Sequence, residues 1–392
     1  MRCRTTFALL TSLTSVVAAI APTISASAAP SSTGAAHGQK AVCAQAPVGR
    51  ARCFAHVQTH SDGVTPNATT SYTSGYAPAD LVAAYSIPRN RSKNTIAIVD
   101  AFASPTALAD LNTYRTRFGL GAVTIKQVNQ IGGTSLPAGD TGWGQEEALD
   151  LDMASAACPT CAIVYVGANS ASFADLSAAV MAAAATGAKV ISNSYGGSEY
   201  SGEVSAQAAY NQPGVAVTVS SGDSGYGAQF PASSQYVVDV GGTNLARSST
   251  PRGFTETAWS SGGSGCSAYI TKPSWQHDPS CVRRMGTDVS AVADPNTGVA
   301  VYDSYGSTGG ANWLVFGGTS VAAPLVGGMY AVAGVTSAYP AATLYATGAS
   351  LYDVVAGRNG NCRRGAAYYC QAGTGYDGPT GNGTPNGVAS LH

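Results

Sequence analysis

Gly317-Gly-Thr-Ser320-Val-Ala-Ala-Pro324 places a hydroxyl at the start of an apolar, Ala/Gly-rich helix. Glycines at 317 and 318 let the backbone approach a ligand closely, and the first N–H groups of a helix can face developing negative charge. Pro324 reads as part of the first turn, where a missing N–H costs nothing. The stretch suggests a serine hydrolase with Ser320 as nucleophile. It suits a serine N-cap on a buried helix equally well, so the partners of Ser320 must decide.

A serine hydroxyl needs a base, usually histidine. The chain has few: His37, His56 and His60 precede the strand–helix alternation, His277 lies between Cys266 and Cys281, and His392 is the last residue. None stands in a glycine-flanked helix start after Asp100, where a Ser-His-Asp hydrolase of subtilisin type needs one. Acids stand there instead, in Trp143-Gly-Gln-Glu-Glu-Ala-Leu-Asp-Leu-Asp-Met-Ala-Ser-Ala-Ala157, whose Leu149, Met153 and Ala156 recur at helical spacing. Glu146 and Asp150 are four apart and share a face. Acid enrichment near a helix start explains Glu146 and Glu147 through the helix dipole, but Asp150 and Asp152 less well. A third acid, Asp223, follows the buried parallel strand ending at Ser220, within Ser221-Gly-Asp-Ser-Gly225. Ligands bind at the carboxyl ends of such strands, although an Asp between glycines also simply shapes turns.

Apolar runs at 95–100, 162–166, 189–193, 216–220 and 237–240 alternate with helical patterns around 145–157, 172–186, 201–210 and 320–334. This alternation predicts a mostly parallel sheet covered on both faces, without a linker-like break after about residue 76.

Taken in order, the Glu146-Glu-Ala-Leu-Asp150 run, Ser221-Gly-Asp223-Ser-Gly and Gly318-Thr-Ser320 resemble the signatures of the sedolisins, the serine-carboxyl peptidases, over residues 76–377. The resemblance implies a subtilisin-like three-layer α/β fold in a single large domain. It implies Ser320 as nucleophile, Glu146 as general base, Asp150 as its partner and Asp223 as the oxyanion acid, with Asp100 extending the acid network. It also implies that Ser192-Asn-Ser194-Tyr195-Gly196 lines the substrate cleft by backbone pairing. Leu351-Tyr-Asp353-Val354 and Ala372-Gly373-Thr-Gly375-Tyr-Asp377 are similar to the family's calcium site, implying one structural Ca²⁺ on Asp353, Asp377 and the Val354, Gly373 and Gly375 carbonyls. Composition alone fits plain loop there. A neutral Asp223 can donate to an oxyanion, an ionised one repels it, and a carboxylate base works best in acid. An acid-active endopeptidase with an acyl-enzyme on Ser320 follows. A secreted binding protein on the same fold is the alternative.

Arg2 and Arg4, the apolar run from Phe7 to Ile20 and Ala26-Ser-Ala28 predict a signal peptide over 1–29 and an extracellular protein. Cys3 leaves with it. The other eight cysteines form four short-range sets: Cys43 and Cys53, Cys158 and Cys161, Cys266 and Cys281, Cys362 and Cys370. In an exported chain these read as disulfides. A net charge of −1 without basic clusters argues against nucleic acid or anionic membrane as partner, leaving protein or peptide substrates and an expected monomer. Residues 30–70 are too few for a core of their own and read as a short arm, a reduced prosegment, ahead of a peptidase domain over 71–392.

Overall fold

Strands Thr95–Ala101, Ala162–Ala168, Val190–Asn193 and Ala216–Ser220 are nearly continuous Val, Ile and Ala runs, the composition of strands buried on both faces. In the computed structural model they lie side by side and parallel, flanked by Ile125–Asn129 at one edge and Val238–Arg247 toward the other. The structure describes Met1, Arg2 and residues 37–89, 92–306, 310, 312–346, 350–362 and 367–392. From residue 3 onward the expected signal peptide, with Cys3, lies outside the described residues.

Side-chain alternation splits the interior into two layers. Ile96, Ile98, Ile163, Tyr165 and Val190 face one core, whereas Ala97, Val99, Val164, Val166 and Ile191 face the other. Helices Thr141–Ala157 and Thr319–Ala333 cover the first face, and Phe173–Ala185 the second. This is the mostly parallel, three-layer α/β domain that the sequence predicts.

Several local expectations change. The segment at 201–210 is a short α-helix, Glu203–Ala206, continued as the 3₁₀ turn Gln207–Tyr210. The strand expected at 237–240 runs over Val238–Arg247, because it pairs in parallel with Ala216–Ser220 and Val289–Val292 and antiparallel with Phe254–Ala258. Pro324 is not in the first turn, since the helix starts at Thr319; its missing N–H leaves the Ser320 carbonyl without its usual i+4 donor.

The described part of the amino-terminal arm, from residue 37, joins a second sheet. Gly38–Ala41 pairs with His56–Thr59, which pairs with Trp313–Gly317, itself paired with Val299–Tyr302. Too short for its own core, this stretch shares that of the rest of the molecule, with Phe54, Ala55 and Val57 buried. The cysteines join as nearest neighbours: Cys43–Cys53, Cys158–Cys161, Cys266–Cys281 and Cys362–Cys370. Among the described residues no helix is long and apolar enough to cross a membrane.

Candidate active site

Asp140 caps the helix Thr141–Ala157, its Oδ1 accepting from the Trp143 N–H at 3.0 Å. Instead of one inward face, every residue from Trp143 to Ala157 is buried, because the helix is packed against Thr319–Ala333, the sheet and two further helices. Its four acids are therefore interior groups and not helix-start decoration. Two are anchored by backbone: Glu147 Oε2 accepts from the Ser104 N–H at 2.6 Å and Asp152 Oδ2 from the Tyr302 N–H at 3.1 Å. Glu146 and Asp150 form a cluster with Asp100. Burial holds all three well above the carboxylate range, Asp100 at about 8, and their mutual repulsion pushes Glu146 and Asp150 higher still. Contact with the Ser320 hydroxyl and the Ala55 N–H pulls Glu146 back toward ionisation. The Ser194 hydroxyl does the same for Asp150.

Opposite these acids, Gly318 adopts φ 100°, a conformation that favours glycine, and its N–H donates to the Ala293 carbonyl at 2.6 Å. That turn delivers Ser320, fully buried, with its Oγ 3.4 Å from the Ser194 carbonyl oxygen. Asp223 arrives from the loop after Ala216–Ser220. Its Oδ1 accepts from the Thr319 N–H at 2.9 Å and the Thr319 hydroxyl at 2.7 Å, while Oδ2 is left without a described hydrogen-bond partner. Burial lifts its pKa to about 7, more than the two Thr319 bonds lower it. At acidic pH Asp223 is thus a neutral carboxylic acid with a free oxygen. The structure therefore brings Glu146, Asp150, Asp100, Asp223 and Ser320 into one site.

Two contributors escaped sequence reasoning. Thr319 stands beside the nucleophile with no motif of its own, although a hydroxyl next to a buried acid is a usual orienting group. His56 precedes the strand–helix alternation, yet its Nε2 stands 3.4 Å from Asp223 Oδ2. Burial and the nearby Arg52 depress the His56 pKa to about 4, so between pH 4 and 7 both groups are neutral and the contact is not an ion pair. The apolar Cys53-Phe-Ala55 followed by β-branched Val57 and Thr59 is the available signal for extended chain here.

Of the predicted cleft residues, Ser194 presents its carbonyl to the site, and Tyr195 and Gly196 begin the strand Tyr195–Ser198 beside it. Ser192 sits inside the central sheet and packs toward Gly327 of the Thr319–Ala333 helix. At the carboxyl-terminal end, Asp353 Oδ2 accepts from the Gly375 N–H at 3.0 Å and Asp377 Oδ2 from the Gly373 N–H at 2.9 Å. The Asp377 pKa is raised to about 7, by burial first and by the Asp353 charge as well. No described hydrogen bond uses the Val354, Gly373 or Gly375 carbonyls. Asp377 Oδ1 also accepts from the Thr380 N–H and hydroxyl, and carboxylate and carbonyl oxygens of this kind are the donors a hard divalent cation takes.

The subtilase family pattern matches residues 142–351. The chain is 31% identical to kumamolisin of Bacillus sp. strain MN-32, over 87% of this chain and 66% of that protein. It is 35% identical to sedolisin of Pseudomonas sp. strain 101, over 44% of this chain and 33% of that protein. It thus spans less than two thirds of the length of these relatives. Among solved structures, Pseudomonas sedolisin complexed with two molecules of pseudo-iodotyrostatin aligns over 82% of this chain and 98% of its own, with a TM-score of 0.68 and 25% identity. A lanthipeptide protease shares the fold, with a TM-score of 0.50, 16% identity and coverage of 77% of this chain and 89% of its own.

Proposed function

Because this chain belongs to the subtilase family and, within it, to the sedolisins, the serine-carboxyl peptidases, we propose that it is a secreted endopeptidase acting on proteins or peptides in acid. The observation that carries the reading is the single buried cluster in which the Ser320 hydroxyl meets Glu146, backed by Asp150 and Asp100, with a neutral Asp223 across from it.

Ser320 Oγ attacks the substrate carbonyl as Glu146 takes its proton. Glu146 can do so only from its ionised state, which contact with the serine hydroxyl and the Ala55 N–H favours against the burial and like charges that hold its proton on. The tetrahedral oxygen receives a hydrogen bond from the Asp223 Oδ2–H, held in place by Thr319 through Oδ1. Glu146 returns the proton to the leaving amine, and water resolves the acyl-enzyme on Ser320. Asp353, Asp377 and the Val354, Gly373 and Gly375 carbonyls would hold a structural Ca²⁺, which neutralises the paired carboxylates and ties the carboxyl-terminal loops together. Export fits the four disulfides and the predicted signal peptide.

Ser320→Ala and Glu146→Gln should each remove nearly all hydrolysis of a denatured protein at pH 4 while leaving the fold unchanged by circular dichroism. Near-full activity in either variant overturns the reading. A folded wild-type protein that binds peptides but cleaves none supports a non-catalytic binding role instead.

A further inference from the structure

Asp100 stands near the end of the central strand Thr95–Ala101, opposite Gly167, fully buried and with no described hydrogen-bond partner on either carboxyl oxygen. Its place beside Glu146 and Asp150 is therefore fixed by its backbone. The turn that follows is strained, because Phe102 has φ 69°, a region that bulky side chains avoid. Such a conformation persists only where the surroundings over-determine it. The Phe102 N–H donates to the Ala168 carbonyl at 2.7 Å, and the Phe102 carbonyl accepts from the Tyr165 hydroxyl at 2.9 Å. Two residues on, the Ser104 N–H donates to Glu147 Oε2 at 2.6 Å. Gly167 leaves room for the Phe102 carbonyl, which a Cβ there would strike.

Glu147 uses only one of its oxygens on this turn. Oε1 is buried with no described partner, and the Tyr165 hydroxyl stands beside the carboxyl. That hydroxyl has a single proton, directed at the Phe102 carbonyl. What remains for Glu147 is an oxygen lone pair, which only a protonated carboxyl can use. The other titratable groups facing Glu147 are acids, Asp100 from the strand and Asp303 from the loop after Val299–Tyr302. From the neighbouring helix Ala107–Arg117, Asp110 and Arg115 act on Asp152. Burial holds the proton on Glu147 more strongly than the Ser104 N–H draws it off. A negative charge on Glu147 would stand beside Asp100 and oppose ionisation of the catalytic acids.

We propose that Glu147 is a positioning residue for the catalytic acids: a neutral strut that accepts from Ser104 through Oε2 and donates to Tyr165 through Oε1, locking the turn after Asp100 without adding charge beside it. The inference rests on the peptidase reading of the site. Glu147 acts through Asp100 and Tyr165, not on the reacting atoms. Asp152 is the matched control, since it lies on the same helix, is just as buried and accepts a backbone N–H, but from Tyr302 and away from this turn.

The test measures kcat and KM for a denatured protein at pH 4 in the full chain and in Glu147→Gln, Glu147→Leu, Tyr165→Phe, the Leu/Phe double variant and Asp152→Asn. Leucine removes both hydrogen bonds, so kcat should fall about tenfold or more while KM stays within about twofold. Tyr165→Phe should show the same split, and the double variant should fall no further than Glu147→Leu, because the two side chains act as one unit. Glutamine keeps an oxygen for Ser104 and an N–H for Tyr165 and cannot ionise, so it should retain several times the kcat of the leucine variant. Asp152→Asn should not reproduce the split. At pH 6, where exposed carboxyls are ionised, the wild type should show infrared carbonyl absorption of a protonated carboxyl that Glu147→Gln lacks. A glutamine variant as slow as the leucine one, fully additive losses, or no missing infrared band overturns the strut. Should Glu147→Leu fail to fold, Glu147→Gln, Tyr165→Phe and the infrared band still decide. An active wild type with kcat unchanged in Tyr165→Phe and Glu147→Leu overturns the strut and leaves the peptidase reading standing, whereas a folded wild type that cleaves nothing overturns both.

Discussion

Asp223 owes its chemistry to burial: stripped of water, its carboxyl stays protonated to about pH 7 even though Thr319 hydrogen-bonds one oxygen in the form that favours ionisation. Its free oxygen can therefore donate a hydrogen bond throughout the acid range. Asp223→Asn keeps a neutral donor of the same shape and should lose less activity as pH rises than the wild type does. Asp223→Ala removes the donor and should cost roughly 10²–10³-fold in kcat. Measuring kcat from pH 3 to 8 for the three proteins checks this. An Asn variant as inactive as the Ala variant at every pH would falsify the donor role.

At the scale of elements, the site depends on how closely Thr141–Ala157 approaches Thr319–Ala333, since one carries Glu146 and Asp150 and the other Ser320. The two helices pack closely at Gly328: a Cβ there would stand 2.5 Å from the Ala157 Cβ. Small residues at such a contact let two helices pack backbone to backbone, and adding one carbon forces them apart. Gly328→Ala should destabilise the protein by about 1–3 kcal/mol, as overpacked cores generally are. It should also lower kcat more than it raises KM, because the shift separates Ser320 from Glu146 and leaves the cleft strand Tyr195–Ser198 alone. Urea denaturation combined with kinetics separates this from simple loss of folded protein.

For the whole molecule, the buried acids set how stability varies with pH. Asp100 and Asp223 bind protons more tightly folded, at about 8 and about 7, than a free Asp does. Their contribution is complete below the unfolded value near 4 and is lost as pH rises through the folded values, at up to about 1.4 kcal/mol per pH unit each. His56 acts oppositely: depressed to about 4, it favours the fold above its unfolded value of 6.5 and loses that contribution as pH falls toward 4. Two acids, with Glu146 and Asp150 shifted in the same direction, outweigh one histidine. The thermal midpoint should therefore fall steadily from pH 5 to 8, and Asp100→Asn should flatten that fall. A chelator added in the same series should lower the midpoint at every pH, with Ca²⁺ restoring it by mass action on the folded state. A flat profile contradicts the buried neutral acids, and indifference to chelator contradicts the calcium assignment.

Composition and order along the chain sufficed for the parallel sheet, because unbroken Val/Ile/Ala runs have few stable arrangements other than strands covered on both faces. They pointed also to Glu146, Asp150, Asp223 and Ser320 as candidates, through short local patterns that resemble a known family's signatures. Edge elements were less legible: Ile125–Asn129 mixes Lys and Gln into a half-exposed strand and lacks the buried-strand pattern. What surrounds a side chain after folding could not be read locally. That all four acids of Thr141–Ala157 are interior, that Thr319 holds Asp223, and that His56 and the Ala55 N–H reach the site are consequences of contacts between segments some 90 to 260 residues apart. The sequence by itself determined which groups are present and which elements carry them. Only the tertiary structure decided which are dry and what they face, because protonation and reactivity depend on burial and on neighbours that the chain order does not place together.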